Sequence, residues 1–294
     1  MGTAWINSKP ERRYFRFSLR AMLLLILCVS TAFGWLIHEA RKQGVAVAAL
    51  KKIGCEFIHY DDPENAPTVL ERLRFLLGDE EPRNVSILTA APQLTDAGLV
   101  HLQGTPEVVA LILDETHVTD AGLTHLQGLA KLEDLILTGR QITGTGLHHL
   151  QGLTHLHHLD LSGTMATDAA LAQLEKMHQL ERLDLSRTQV TDVGLAHLQC
   201  LHHLKNLAIC GTQVTNAGLD WLQGLTQLED LRLSDTSVTD AGLVKLKGLS
   251  KLNTLYLGKQ TQVTDAGALE LQKVLPNCLI YGSNEYREQK CFPY

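Results

Sequence analysis

Fourteen histidines in 294 residues bring metal binding to mind first. His101, His125, His149 and His197 recur at multiples of 24 residues, so stacked turns of a repeating structure would set the first three in a row. A zinc site needs three or four converging ligands, usually with cysteine thiolates or carboxylates at matching spacing. None stands at that spacing, and the same position elsewhere holds Gln173, Trp221 and Lys245, the variation of a half-exposed column. The pairs His148-His149, His157-His158 and His202-His203 offer still less. Nucleophilic catalysis has no better footing, because no Ser or Cys sits on a recognisable strand-to-helix elbow. Apparent Ser, Asp and His sets are repeat positions, and the glycines recur with the repeat instead of forming a phosphate-cradling loop. The chain is therefore expected not to be an enzyme, with no catalytic residue, metal or cofactor.

Bulk charge narrows the partners. Charged residues make up 20% of the chain, the net charge is −6, and aromatic residues make up 5%. Nucleic-acid binding wants lysines and arginines clustered on one face, with aromatic platforms for unpaired bases, so a nucleic-acid partner is not expected. The one basic concentration is N-terminal, where Lys9, Arg12, Arg13, Arg16 and Arg20 precede an uncharged run, residues 21–37. As a helix that run reaches about 25 Å, a little short of a hydrocarbon core, with Arg20 and Trp35 placed to snorkel and anchor at the interfaces. A cleaved signal peptide is the rival, with Ser30-Thr31-Ala32 as its cleavage site. Apolar residues continue past that site through Phe33, Trp35, Leu36 and Ile37, which favours an uncleaved single-pass anchor. Five basic residues before the run, against Arg41, Lys42, Lys51 and Lys52 after it, favour a cytoplasmic N-terminus with the remainder outside the cytoplasm. In an oxidising compartment Cys278 and Cys291 could join as a disulfide; the alternative is free buried thiols.

What would position any functional residue is the repeat. Threonines at 95, 119, 143, 167, 191, 215, 239 and, after one inserted residue, 264 open units of the form T-D-A-G-L-x-H-L-x-G-L-x-x-L-x-x-L-x-L-x-x-T-x-V. The fifth, eighth and eleventh positions, such as Leu123, Leu126 and Leu129, share one helix face. The Thr-Asp pair ahead of them supplies N-cap oxygens. Glycines at the tenth position (104, 128, 152, 224 and 248) stand where a helix ends in a left-handed residue, so Lys176 and Cys200 there predict costlier turns. The fourth position is glycine nearly throughout but Ala170 once, so small size is the requirement and neighbouring helices pack closely. Leucines at the seventeenth and nineteenth positions, such as Leu159 and Leu161, predict one short strand per unit with one face inward. Threonines at the twenty-second position (116, 164, 188, 212, 236 and 261) are expected to bond the adjacent coil's backbone. Strand and helix repeated in register must stack with parallel strands on one, concave side and helices on the other, each unit supplying its neighbour's core.

This L-x-x-L-x-L core resembles the leucine-rich repeat superfamily over residues 95 to about 281, and its T-D-x-G-L helix start resembles the ribonuclease-inhibitor-like and F-box-type branch. The segment Phe15-Arg16-Phe17-Ser18-Leu19-Arg20, the leucine-rich span and Gly34-Trp35-Leu36 look like the N-terminus of membrane-anchored planctomycete-type bacterial leucine-rich repeat proteins. So do residues 46–54 and 76–79. That resemblance implies an anchor and an interaction domain, and no chemistry.

The predicted organisation is a basic tail (residues 1–20), a transmembrane helix or signal anchor (21–37), a juxtamembrane α/β segment and N-terminal cap (38–83), an α/β leucine-rich repeat horseshoe with a C-terminal cap (84–281) and a polar tail (282–294). Within the cap, a helix bearing Ala46, Ala49, Leu50 and Ile53 leads to a strand over 55–60 and a second helix over 68–77. A last helix over 269–275 ends at Pro276, before a strand over 279–281.

Binding is left to the outward positions of the concave face, sixteen and eighteen, which vary from coil to coil while the core does not. The candidate patch is Asp134, His158, Asp160, Arg182, Asp184, Asp230, Arg232 and Tyr256, whose mixed charge suits a protein or peptide ligand. The alternative, a substrate-recognition subunit of a ubiquitin-ligase-like complex, would need an adaptor-binding motif ahead of the repeats.

Overall fold

The structure, a computed structural model, describes residues 19–59, 85–258 and 261–282. Two units divide the chain, residues 1–42 and 43–294. The described part of the first is wholly helical and belongs to helix α1 (Leu19–Ile53). The expected span, 21–37, lies in this helix, and most of its side chains up to Cys28 fall outside the described residues. Among the described residues no helix is long and apolar enough to cross a membrane.

The second unit begins with the last turns of α1, where Ala46, Val47 and Leu50 are buried and Ile53 packs against the same core. Val47, not the expected Ala49, completes the buried stripe. The helix stops at Gly54, whose φ of +99° is open to glycine. The amides of Gly54 and Cys55 then return to the carbonyls of Lys51 and Leu50. Strand β1 (Glu56–His59) follows, pairing antiparallel with β2 (Val85–Thr89). The expected helix over 68–77 lies outside the described residues.

From β2 onward every pairing is parallel and steps by one coil. β3 (Ala110–Ile112), β4 (Asp134–Ile136), β5 (His158–Asp160), β6 (Arg182–Asp184), β7 (Asn206–Ala208), β8 (Asp230–Arg232), β9 (Thr254–Tyr256) and β10 (Leu279–Tyr281) continue one sheet in sequence order. The leucines at the middle of β3 to β9 are fully buried and in direct register, Leu159 on Leu183 on Leu207. With the leucines of the opposite side they form one continuous core from Leu50 to Cys278. Each buried leucine contributes about 1.5–3 kcal/mol of transfer free energy, available only because the next coil covers it.

Opposite the sheet the helices are shorter than the periodicity suggests. Most coils hold a single α turn, a short 3-10 segment or both, as in Asp192–Leu195 followed by Ala196–Cys200. Among the described coils the longest segments are the α-helix Asp168–Leu174 and the 3-10 segment Gly218–Gly224, each of seven residues, and the final helix is Asp265–Val274. The expected left-handed ending at the tenth position does not occur: no tenth-position glycine has a positive φ. The following amide instead closes a tight turn, as Leu225 N–H does on the Leu222 carbonyl. Cys200 is accommodated without change, since Leu201 (φ −88°, ψ 61°) and Leu225 (φ −84°, ψ 62°) end their helices alike.

The Thr-Asp pair also works differently from expectation. Where a side chain of the pair caps its own helix it is the threonine, as Thr191 accepts from the Val193 amide at 3.2 Å, whereas Thr95 and Thr167 make no such bond. The aspartate reaches forward to the next coil: Asp192 takes Thr215 N–H on one oxygen (2.7 Å) and the Thr215 hydroxyl on the other (2.6 Å). Asp96, Asp168 and Asp240 repeat this two-point bond, and Asn216 does so with its amide; Asp120 takes both Thr143 N–H and hydroxyl on one oxygen and the amides of Gly144 and Gly146 on the other. The small fourth position follows from this ladder. A Cβ at Gly122, Gly194, Gly218, Gly242 or Gly267 would overlap the forward-reaching side chain of the preceding coil. Where that side chain is missing, at Gly144, the facing fourth residue is Ala170, whose methyl group occupies the vacated room.

The twenty-second-position threonines bond within their own coil. Thr164, Thr188, Thr212 and Thr236 donate to carbonyls three residues back at 2.6–2.7 Å and lock the strand exit, so the expected inter-coil bond is replaced by a local one. That exit holds a left-handed residue even where it is Glu115, Arg187 or Asp235.

Candidate binding face on the strand side

Each coil presents two outward residues on its strand, and strict register turns them into two rows. One row runs through Asp134, His158, Arg182, Asn206 and Asp230, the other through Ile136, Asp160, Asp184, Ala208 and Arg232. The eight residues singled out from the sequence separate into three groups on this surface.

The first group centres on Asp134. One of its carboxylate oxygens meets His158 Nδ1 at 3.0 Å and accepts from Arg182 Nη2, two strands away, at 3.1 Å. The His158 bond, aided by the Arg182 charge and opposed by burial, holds the Asp134 carboxyl below its usual range. Arg182 remains half exposed. The second group is Asp230, Arg232 and Tyr256. Arg232 Nε donates to Asp230 at 3.0 Å, and its guanidinium carbon lies 4.7 Å from the Tyr256 ring centroid. Tyr256 stacks on Tyr281 at 5.0 Å and 14°. Burial pushes the Asp230 carboxyl up, outweighing the Arg232 charge.

Asp160 and Asp184 form the third group and depart from expectation. They are 3% and 0% exposed. Each accepts the amide of the serine two residues on, Ser162 or Ser186, at 2.7 Å, so each braces its own strand exit. Burial raises the Asp160 carboxyl above its ordinary range. Replacing Asp184 would cost about 1–3 kcal/mol by freeing the buried Ser186 amide, and replacing Asp160 less, because the Ser162 amide is only part-buried. They are structural as well as candidate binding residues.

Sequence reasoning missed Tyr281, Ser186 and Cys210. Tyr281 sits beside Tyr256 in register and was legible from the spacing of the last strand. Ser186 and Cys210 lie one step past the strand on the outward side, and both are buried. No pattern in one coil signals that. On the helix side, His149 and His197 find local partners in Gln127 (2.7 Å) and Glu175 (2.5 Å). Among the described residues no three His, Cys, Asp or Glu side chains converge as a metal site. Cys278 is a buried thiol pushed up to about 11 by desolvation; its expected partner Cys291 lies outside the described residues.

The fold is that of a leucine-rich repeat solenoid. It is similar to internalin C2 of Listeria monocytogenes, at 27% identity over 68% of this chain and 81% of that one, with a TM-score of 0.55. The plant peptide hormone receptor RGFR1 in complex with RGF2 also matches, at 17% identity over 63% of this chain and 30% of that one, with a TM-score of 0.44. Neither a protein-family profile nor a curated protein matches the sequence.

Proposed function

We propose that the strand face captures a protein or peptide partner and that residues 21–37 hold the chain at a membrane with the repeat unit outside the cytoplasm. The observation that carries the binding reading is the pair of polar and aromatic clusters around Asp134 and Tyr256. Both stand on one sheet face whose outward residues change from coil to coil over an unchanging leucine core. Half-exposed arginine and stacked tyrosine are the residue types that dominate binding at protein interfaces. The anchor rests on the apolar run and the basic residues before it. A ubiquitin-ligase-like role would need an adaptor-binding motif in residues 1–83, where the sequence carries that run instead.

Affinity capture with the full chain in detergent tests the binding reading, comparing wild type with a variant carrying Asp134→Ala, Arg182→Ala and Tyr256→Ala. A partner recovered by wild type should fall at least about tenfold with the variant, the loss of roughly one hot-spot contact. Equal recovery would overturn the assignment of this face. Protease digestion of the repeat unit in cells whose inner membrane is intact checks the placement, and protection until that membrane is breached would reverse it.

A further inference from the structure

On the helix side, the junction between the last two coils is open where three earlier ones are closed. At those three a ninth-position side chain bonds the seventh position of the next coil: Gln127 to His149 at 2.7 Å, Gln151 to the Gln173 carbonyl at 2.9 Å and Glu175 to His197 at 2.5 Å. At the last junction these positions hold Lys247 and Glu270, opposite charges that no bond joins among the described residues. Glu270 pairs instead with Lys273 in its own helix. A groove of about 250 Å³ remains, lined by Leu243, Val244, Lys247, Gly267, Glu270 and Leu271 among others. Leu243 and Leu271 belong to the buried core, while Val244 is 56% exposed.

We propose that a second copy of this chain closes the groove, the two grooves facing each other across a two-fold axis that runs along them. The charge pattern favours a copy over a foreign protein. In a two-fold contact residue i meets residue j while j meets i, so the surface must complement itself. Lys247 and Glu270 stand on the two helices that wall the groove, at repeat positions nine and seven. A two-fold along the groove exchanges the walls and sets each Lys247 against the partner subunit's Glu270. Val244 and Gly267 stand on the same two walls at positions six and four, the same offset. The same rotation therefore lays the exposed valine over the partner subunit's Gly267, where no side chain stands in the way. One operation satisfies both pairs, and the strand face takes no part.

Sedimentation equilibrium of the full chain in detergent tests this. Wild type is expected to dimerise weakly, as suits a small interface. Lys247→Glu and Glu270→Lys should each weaken dimerisation at least about tenfold, because each brings like charges together at both symmetric contacts. Mixed, the two variant chains should pair as wild type does, since both contacts of the mixed dimer again join opposite charges. Lys251→Glu, an equal change of charge outside the groove, should have no effect. All three side chains are exposed, so the substitutions leave the fold intact. Self-association through helix α1 would be the same in every sample and would carry no such charge dependence. Wild type that stays monomeric up to about 0.1 mM would overturn the proposal. So would equal dimerisation by wild type and both groove variants, a mixture that fails to pair, or an equal loss with Lys251→Glu. No outside partner enters the measurement, so either result leaves the strand-face reading untouched.

Discussion

Asp134 shows how much one side chain joins on this surface. Its shared oxygen links three consecutive strands through His158 and Arg182, and the same contacts hold its carboxyl low. A carboxylate with a depressed folded-state pKa adds stability above its unfolded pKa and loses it as pH falls through the folded value. The stability difference between wild type and Asp134→Asn, measured by urea unfolding, should therefore be present at neutral pH. It should close as the pH drops below about 4. A difference that widens with acid would place the stabilising charge elsewhere.

At the scale of the element, the aspartate-to-threonine ladder explains the spacing of the short helices better than helix propensity does. Charge-assisted bonds to both N–H and hydroxyl of the next coil fix the separation of neighbouring turns, and glycine leaves room for them. Gly218→Ala would place its Cβ on Asp192 Oδ1 and 3.0 Å from a Leu195 methyl, so it should cost about 1–3 kcal/mol in urea unfolding. Gly224→Ala in the same coil has nothing within 4 Å and should be neutral or stabilising by up to about 1 kcal/mol. Equal losses from both would show that helix geometry, not the ladder, requires the small residue.

For the repeat unit as a whole, stability is shared between neighbours because no coil closes its own core. Leu207, fully buried at the centre of β7 between Leu183 and Leu231, should cost about 2–5 kcal/mol when replaced by alanine. Hydrogen exchange is expected to rise in both flanking coils as well as its own. Leu279→Ala on the terminal strand, where the side chain is largely exposed, should leave exchange beyond β9 unchanged. Uniform exchange changes from both variants would argue for a single all-or-none unit instead of coupled neighbours.

Much of this architecture was legible in the sequence because the repeat states it again in each coil. A leucine at alternate strand positions must face inward whatever its neighbours are, so the order of the repeat strands, their parallel direction and the last strand over 279–281 could be read from spacing, whereas the antiparallel pairing of β1 with β2 could not. The outward strand residues were legible as positions, for the same reason. Tertiary structure alone decided which contacts cross between coils. Nothing local tells Asp192 to bond Thr215 instead of its own first turn. Nor does alternation reveal that Asp184 is buried while Arg182 is open. Periodicity specifies the direction in which a side chain leaves the backbone; what it meets there depends on atoms 22 residues away or more, and only the stacked coils bring those together.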